Sequence, residues 1–136
     1  MKTFEQYIRE AVDFRLGGSA NKGKATKSFK DLEEDDYVYF YEIDRRKRSA
    51  SKTVEGRIKR VKFETIEKEN IKILNIFYIN NLEKGPESYT FISEENFEKD
   101  MYAFEWQSMY AIWSTFDMSE EEALGIINDP KTVIEK

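Results

Sequence analysis

Between Arg45 and Arg60 the chain carries eight basic residues (Arg45, Arg46, Lys47, Arg48, Lys52, Arg57, Lys59, Arg60) against the single acid Glu55. A segment of net charge +7 inside a protein of net charge −5 sets up a local positive field that selects anions. Phosphate backbones are the obvious target, because each phosphate neutralised releases counterions and raises affinity without sequence preference. A second stretch has the same sign: Arg15, Lys22, Lys24, Lys27 and Lys30 stand with no acid between residues 15 and 30. Together the two stretches hold 13 basic residues and one acid, leaving 9 basic and 26 acidic residues elsewhere. The expected anion-binding set is Lys22, Lys24, Lys27, Arg45, Arg46, Lys47, Arg48, Lys52 and Arg57, and the expected partner is RNA or DNA, or an acidic protein surface.

Catalytic chemistry has little to work with. There is no Cys and no His, which removes thiolate nucleophiles, disulfides, the commonest general base and the usual metal ligand together. Gly18 to Ala25 nearly matches the phosphate-cradling Gly-x-x-x-x-Gly-Lys-Ser/Thr loop, but Ala25 stands where a magnesium-holding hydroxyl belongs. The expected order is also reversed, with a helix before that loop and a strand after it. The carboxylates of Glu33 to Asp36 and of Glu94-Glu95 lie in polar runs that would not raise a pKa for acid–base work. The expectation is a binding protein, not an enzyme, with no cofactor and no metal.

A different chemistry is offered by Trp106, Tyr110 and Trp113, since Trp and Tyr are over-represented at interface hot spots. From Glu83 to Asp129 twelve acids face only Lys84 and Lys99. These two features, the rings standing at helical spacing, define an alternative: a protein-interaction module or inhibitor that uses aromatic and acidic C-terminal helices, of the kind a phage encodes against a host protein. Acidic and basic regions of this size also allow a homodimer.

The elements that must position these residues follow from periodicity. Length and mass, 136 residues and 16.2 kDa, suit one domain, 1–136. Hydrophobic residues at 40% and charged residues at 36% describe a densely ionised surface around a modest core rich in rings. Thr3 and Gln6 form a capping-box pattern, and Phe4, Ile8, Ala11 and Val12 share one helical face, which predicts a helix over 4–15. Residues 16–30 read as a basic loop. From Tyr37 the period becomes two: strands are predicted from Tyr37 to Ile43, from Val54 to Thr65, from Ile71 to Ile79 and from Ser88 to Ile92, with Asp44 to Lys52 as a long hairpin tip. A phase slip at Lys59-Arg60 predicts a β-bulge. Phe97, Met101, Phe104, Ala111 and Phe116 track one helical face, so 94–128 is read as helical, although Tyr102, Phe104, Trp106, Tyr110 and Ile112 also alternate as a strand over Met101 to Ile112 would. Ser119 with Glu122 is a capping box for a short final helix.

The strand block resembles the SH3-like small barrels of the KOW and Tudor type. The residues that carry the likeness are Asp36-Tyr37-Val38-Tyr39-Phe40, then Gly56-Arg57-Ile58-Lys59-Arg60-Val61, then Ile71-Lys72-Ile73. Glu34-Asp35 replaces the glycine usual before the first strand, and the basic tip lengthens the first hairpin. The resemblance implies binding of nucleic acid or protein tails without catalysis. The expected fold is α+β: an N-terminal helix, a four- or five-stranded antiparallel SH3-like curved sheet or barrel, and two C-terminal helices. The Met-Lys-Thr-Phe-Glu-Gln start carries no apolar leader core, and no run approaches the roughly 18 apolar residues of a membrane span. A cytoplasmic location with no membrane partner is expected.

Overall fold

In the computed structural model, which describes residues 26–136, seven strands form one sheet. They are β1 (Tyr37–Asp44), β2 (Ser49–Ile66), β3 (Ile71–Asn80), β4 (Ser88–Ser93), β5 (Met101–Trp106), β6 (Met109–Ser114) and β7 (Ile134–Glu135). Their spatial order is β4-β3-β2-β1-β6-β5-β7, antiparallel throughout except for the parallel pair β5 and β7. One helix, α1 (Glu120–Asn128), and single 3-10 turns at Phe29–Asp31 and Glu94–Asn96 complete the described elements.

This corrects the expectation of an α+β fold with a four- or five-stranded SH3-like sheet and two C-terminal helices: the sheet has seven strands, and one α-helix is present among the described residues. Of the segment 94–128 read as helical, only Glu94–Asn96 and α1 are, and Met101 to Ser114 is a hairpin. The predicted helix over 4–15 lies outside the described residues, as does most of the loop 16–30. The hairpin wins for a tertiary reason. As strands, β5 and β6 pair with each other from Met101↔Ser114 to Trp106↔Met109, and β6 pairs with β1 from Tyr39↔Ser114 to Ile43↔Tyr110. The turn between them rests on left-handed backbone at Gln107 (φ 47) and Ser108 (φ 67), the twist that two-residue hairpins need. Neither Gln nor Ser announces that conformation as Asn-Gly does.

Strand β2 is long and broken twice in register. Thr53 has no partner on β1, because Phe40 pairs with Val54 and Tyr41 with Lys52. Lys59 has none on β3, because Ile58 pairs with Tyr78 and Arg60 with Phe77, so the bulge expected at Lys59-Arg60 is present. Bulges bend the strand that carries them and increase its twist. The first is chemically stabilised: Asn80 Nδ2 donates to the Thr53 carbonyl at 2.9 Å, and Asn80 Oδ1 accepts from Glu55 N at 3.1 Å and Leu82 N at 3.0 Å. Beside it, Gly56 lets Tyr78 lie against the β2 backbone, since a Cβ there would stand 2.7 Å from the ring.

The bends roll the sheet. In a flat sheet β4 and β5 would be about 24 Å apart, five strand spacings, yet side chains of both line one cleft. Each face of the sheet has its own core. On the convex face Ala123, Ile126 and Ile127 of α1 cover Tyr41, Ile43 and Ile112. Ser119 starts α1 with the capping box read from the sequence: its Oγ accepts from Glu122 N at 3.1 Å and Glu122 Oε1 accepts from Ser119 N at 3.1 Å. Tyr41, fully buried, anchors the chain leading into α1 by donating to the Met118 carbonyl at 2.9 Å and accepting from Met118 N at 2.8 Å. On the concave face Val38, Phe40, Ile58, Leu74, Ile76 and Trp113 pack together. Among the described residues no helix is long and apolar enough to cross a membrane.

Candidate functional site

The concave face opens into a cleft of about 680 Å³. Its floor is aromatic and almost closed to solvent: Phe40 lies 4.6 Å from the ring of Trp113, which in turn lies 6.2 Å from Tyr78. All three are under a tenth exposed. Its wall is β5, where Tyr102, Phe104 and Trp106 alternate onto the cleft side and remain half-buried. Trp106 meets Phe40 edge-on at 5.5 Å and Tyr102 stacks on Phe104 at 5.4 Å. Burial pushes the Tyr102 hydroxyl well above its usual value, with Glu135 adding to the rise.

Carboxylates ring the aromatics. Glu42, Glu83, Glu95 and Glu135 all line the cleft, whereas Lys136 is its only cationic lining residue among the described residues. Burial holds the Glu135 carboxyl above its ordinary range and the neighbouring Glu95 raises it further, while hydrogen bonds from Asn96 and the charge of Lys99 oppose the rise. Asn96 Nδ2 donates to both Glu135 oxygens at 3.2 Å. That hydrogen bonding ties the chain just after β4 to β7, the two outer edges of the rolled sheet. Electron-rich ring faces beneath fixed carboxylates attract cations, because both present negative potential to a group entering a partly desolvated space.

The basic residues picked out in sequence meet different fates. Lys27 is paired with Asp36 at 2.8 Å and Glu33 at 3.1 Å, and those hydrogen bonds hold its pKa above the usual lysine value. Partial burial pulls the Lys52 ammonium down, but hydrogen bonds to Asp117 and Glu55 outweigh it and leave the pKa raised. Arg57 pairs with Asp35 at 3.2 Å. Lys22 and Lys24 lie outside the described residues. At the hairpin tip Arg45 sits over the Tyr110 ring, 5.3 Å from its centroid. Arg46, Lys47 and Arg48 are exposed and form no ion pair among the described residues. Asp44 Oδ1 shapes the tip by accepting from Arg46 N at 3.0 Å and Lys47 N at 3.2 Å. A second hollow of about 470 Å³ lies there, between Asp44, Arg45, Arg46, Ser108, Met109 and Tyr110.

The aromatic trio is divided. Trp106 and Trp113 share the cleft, while Tyr110 pairs across from Ile43 on the convex face and meets Arg45. Sequence reasoning missed Phe40, Tyr78, Glu42 and Asn96 as companions of the two tryptophans, since they come from three other parts of the chain. The available signal was the alternation Tyr102, Phe104, Trp106, which only a strand places on one side. Among the described residues no group of three His, Cys, Asp or Glu gathers as a metal site. Comparison with protein-family models, with curated proteins and with solved structures finds no match to this chain.

Proposed function

We propose that this chain is a non-enzymatic binding protein that holds a cationic part of a partner protein in the aromatic cleft. The observation that carries the reading is the coincidence of a half-buried ring wall, Tyr102, Phe104 and Trp106, with four lining carboxylates and one lining cation among the described residues. A cleft of about 680 Å³ falls within the range of specific recognition sites. Trp106 and Trp113 are the only tryptophans of the chain and both line the cleft, so tryptophan emission reports on it. Titration with a lysine-rich or arginine-rich peptide is expected to shift that emission, and a glutamate-rich peptide is expected to leave it unchanged. Phe104→Ala should weaken the response by about tenfold, the size of a modest hot spot. An emission insensitive to every cationic peptide would remove the reading.

A second reading has its own support. Arg46, Lys47 and Arg48 stand exposed without ion pairs among the described residues, and Arg45 and Arg46 share a hollow with Ser108 and Tyr110. This tip suits an anionic partner, RNA or DNA first, over a smaller surface than the full basic set. Binding to duplex DNA should weaken steeply with salt, and replacing Arg45, Arg46, Lys47 and Arg48 by Ala should flatten the log–log slope by about 0.9 for each phosphate no longer neutralised. An unchanged slope in that variant would sink this second reading.

A further inference from the structure

Strand β4 ends the sheet on its β3 side, and among the described residues its backbone pairs only with β3. Sheets ordinarily guard such an edge with a lysine, a proline, a bulge or a covering element, because unpaired N–H and C=O groups are a template for another strand. Here Ser88–Ser93 carries no charge and no proline, and its register with β3 runs unbroken from Tyr78↔Ser88 to Ile73↔Ser93. The two rings on its convex side are bare: Tyr89 is 67% and Phe91 58% exposed. Ser88 and Thr90, level with Tyr78 and Ile76, are the small residues on its concave side, and Phe91 and Ser93 also border the cleft.

The same cleft asks for a donor at its far end. Asn96 is 1% exposed, lines the cleft, and has an Oδ1 that accepts no hydrogen bond among the described residues. Its Nδ2 donates to both Glu135 oxygens at 3.2 Å, and Glu95 adjoins it in the chain and lines the same cleft.

We infer that β4 is a docking edge at which an extended segment of a partner protein joins the sheet as an eighth strand, sending alternate side chains into the cleft. The inference rests on the cleft reading proposed above and adds the partner's form to it. Because side chains alternate along a strand, the segment's chemistry follows from the two faces it meets. Its inward positions carry lysine or arginine toward Glu42, Glu83, Glu95 and Glu135, and its outward positions carry apolar residues over Tyr89 and Phe91. Main-chain hydrogen bonds to β4 supply affinity and the carboxylates supply selectivity.

A short synthetic peptide of alternating lysine and valine tests this on the full chain. It is expected to shift the tryptophan emission and to slow amide hydrogen exchange across Ser88–Ser93. Methylating its backbone nitrogens in either alternate register keeps every side chain, and in the register that faces β4 it should cost at least about tenfold in affinity. Phe91→Lys, a change at an exposed ring, should cost a similar factor while circular dichroism stays that of the parent. If both methylated peptides bind as tightly as the parent, β4 is not the docking edge, and the cleft reading stands without it. If the unmodified peptide leaves the emission unmoved while other lysine- or arginine-rich peptides shift it, the strand form again fails alone. An emission that no cationic peptide moves overturns both.

Discussion

Asn80 does with one amide what a strand partner would otherwise do. The bulge at Thr53 leaves backbone groups of β2 without mates on β1, and Asn80, 7% exposed, closes on the Thr53 carbonyl and the Glu55 and Leu82 amides. Replacing it with Ala strands several buried groups at once, and each unsatisfied group costs about 1–3 kcal/mol. Asn80→Ala is therefore expected to destabilise by at least about 2 kcal/mol in urea titration, with a further loss of order near Tyr78 because Gly56 lies in the same stretch of β2. Asn80 also lines the cleft, so the bend and the site share one residue. Nothing local announces this: Asn80 followed by Asn81 reads as a turn, and its reach to Thr53 spans 27 positions.

Elements were legible in proportion to how local their determinants are. The capping box at Ser119 and Glu122 needs only four consecutive residues, and it is formed as read. Ser119→Ala removes the cap of a helix whose first turn also carries Glu120 and Glu121, acids well placed for the helix dipole. The expected loss is about 1 kcal/mol, seen as a lower denaturation midpoint with an unchanged slope. Strands β1 to β4 were visible in the two-residue period, and the bulge at Lys59 in a break of that period, but the hairpin tip read over Asp44 to Lys52 is shorter, because Ser49 already pairs with Asp44 as the start of β2. The hairpin of β5 and β6 was not, because Met, Ala and aromatic residues suit either structure and Tyr110 and Ile112 continue the even-numbered alternation past the turn. Pairing with β1 decides the matter, and no window of local sequence contains β1. That difference separated Tyr110 from the two tryptophans and brought Phe40 to them in its place.

At the scale of the whole molecule, rolling one sheet around an aromatic floor while packing a helix on its back buries tyrosines on both faces. Burial pushes the Tyr39 hydroxyl up to about 12, and raises Tyr41 and Tyr102 further. In the unfolded chain each ionises near pH 10. A group with a raised folded pKa contributes stability that is fully present below the unfolded value and is lost as pH climbs through the folded one. Stability measured in urea should therefore hold near pH 8 and decline from about pH 10 upward. Tyr41→Phe should flatten that decline, although it lowers stability at neutral pH by giving up the Met118 hydrogen bonds. A decline equally steep in the variant would assign the alkaline loss elsewhere. Charge shows the same division between chain and fold. Sequence alone determined that this is a Cys-free and His-free chain with a sorted charge pattern, four alternating strands, a bend at Lys59 and a capped final helix, because each of these depends on composition or on neighbours within a few residues. Tertiary structure alone decided that Lys27, Lys52 and Arg57 are spent on Asp36, Asp117 and Asp35, leaving the tip of the basic segment exposed. It alone gathered Phe40, Tyr78, Trp106, Trp113 and Glu135 into one acid-lined cleft. The cause is the curvature of a single sheet, which sums two bulges and six strand pairings, and so brings together side chains that no periodicity in the chain relates.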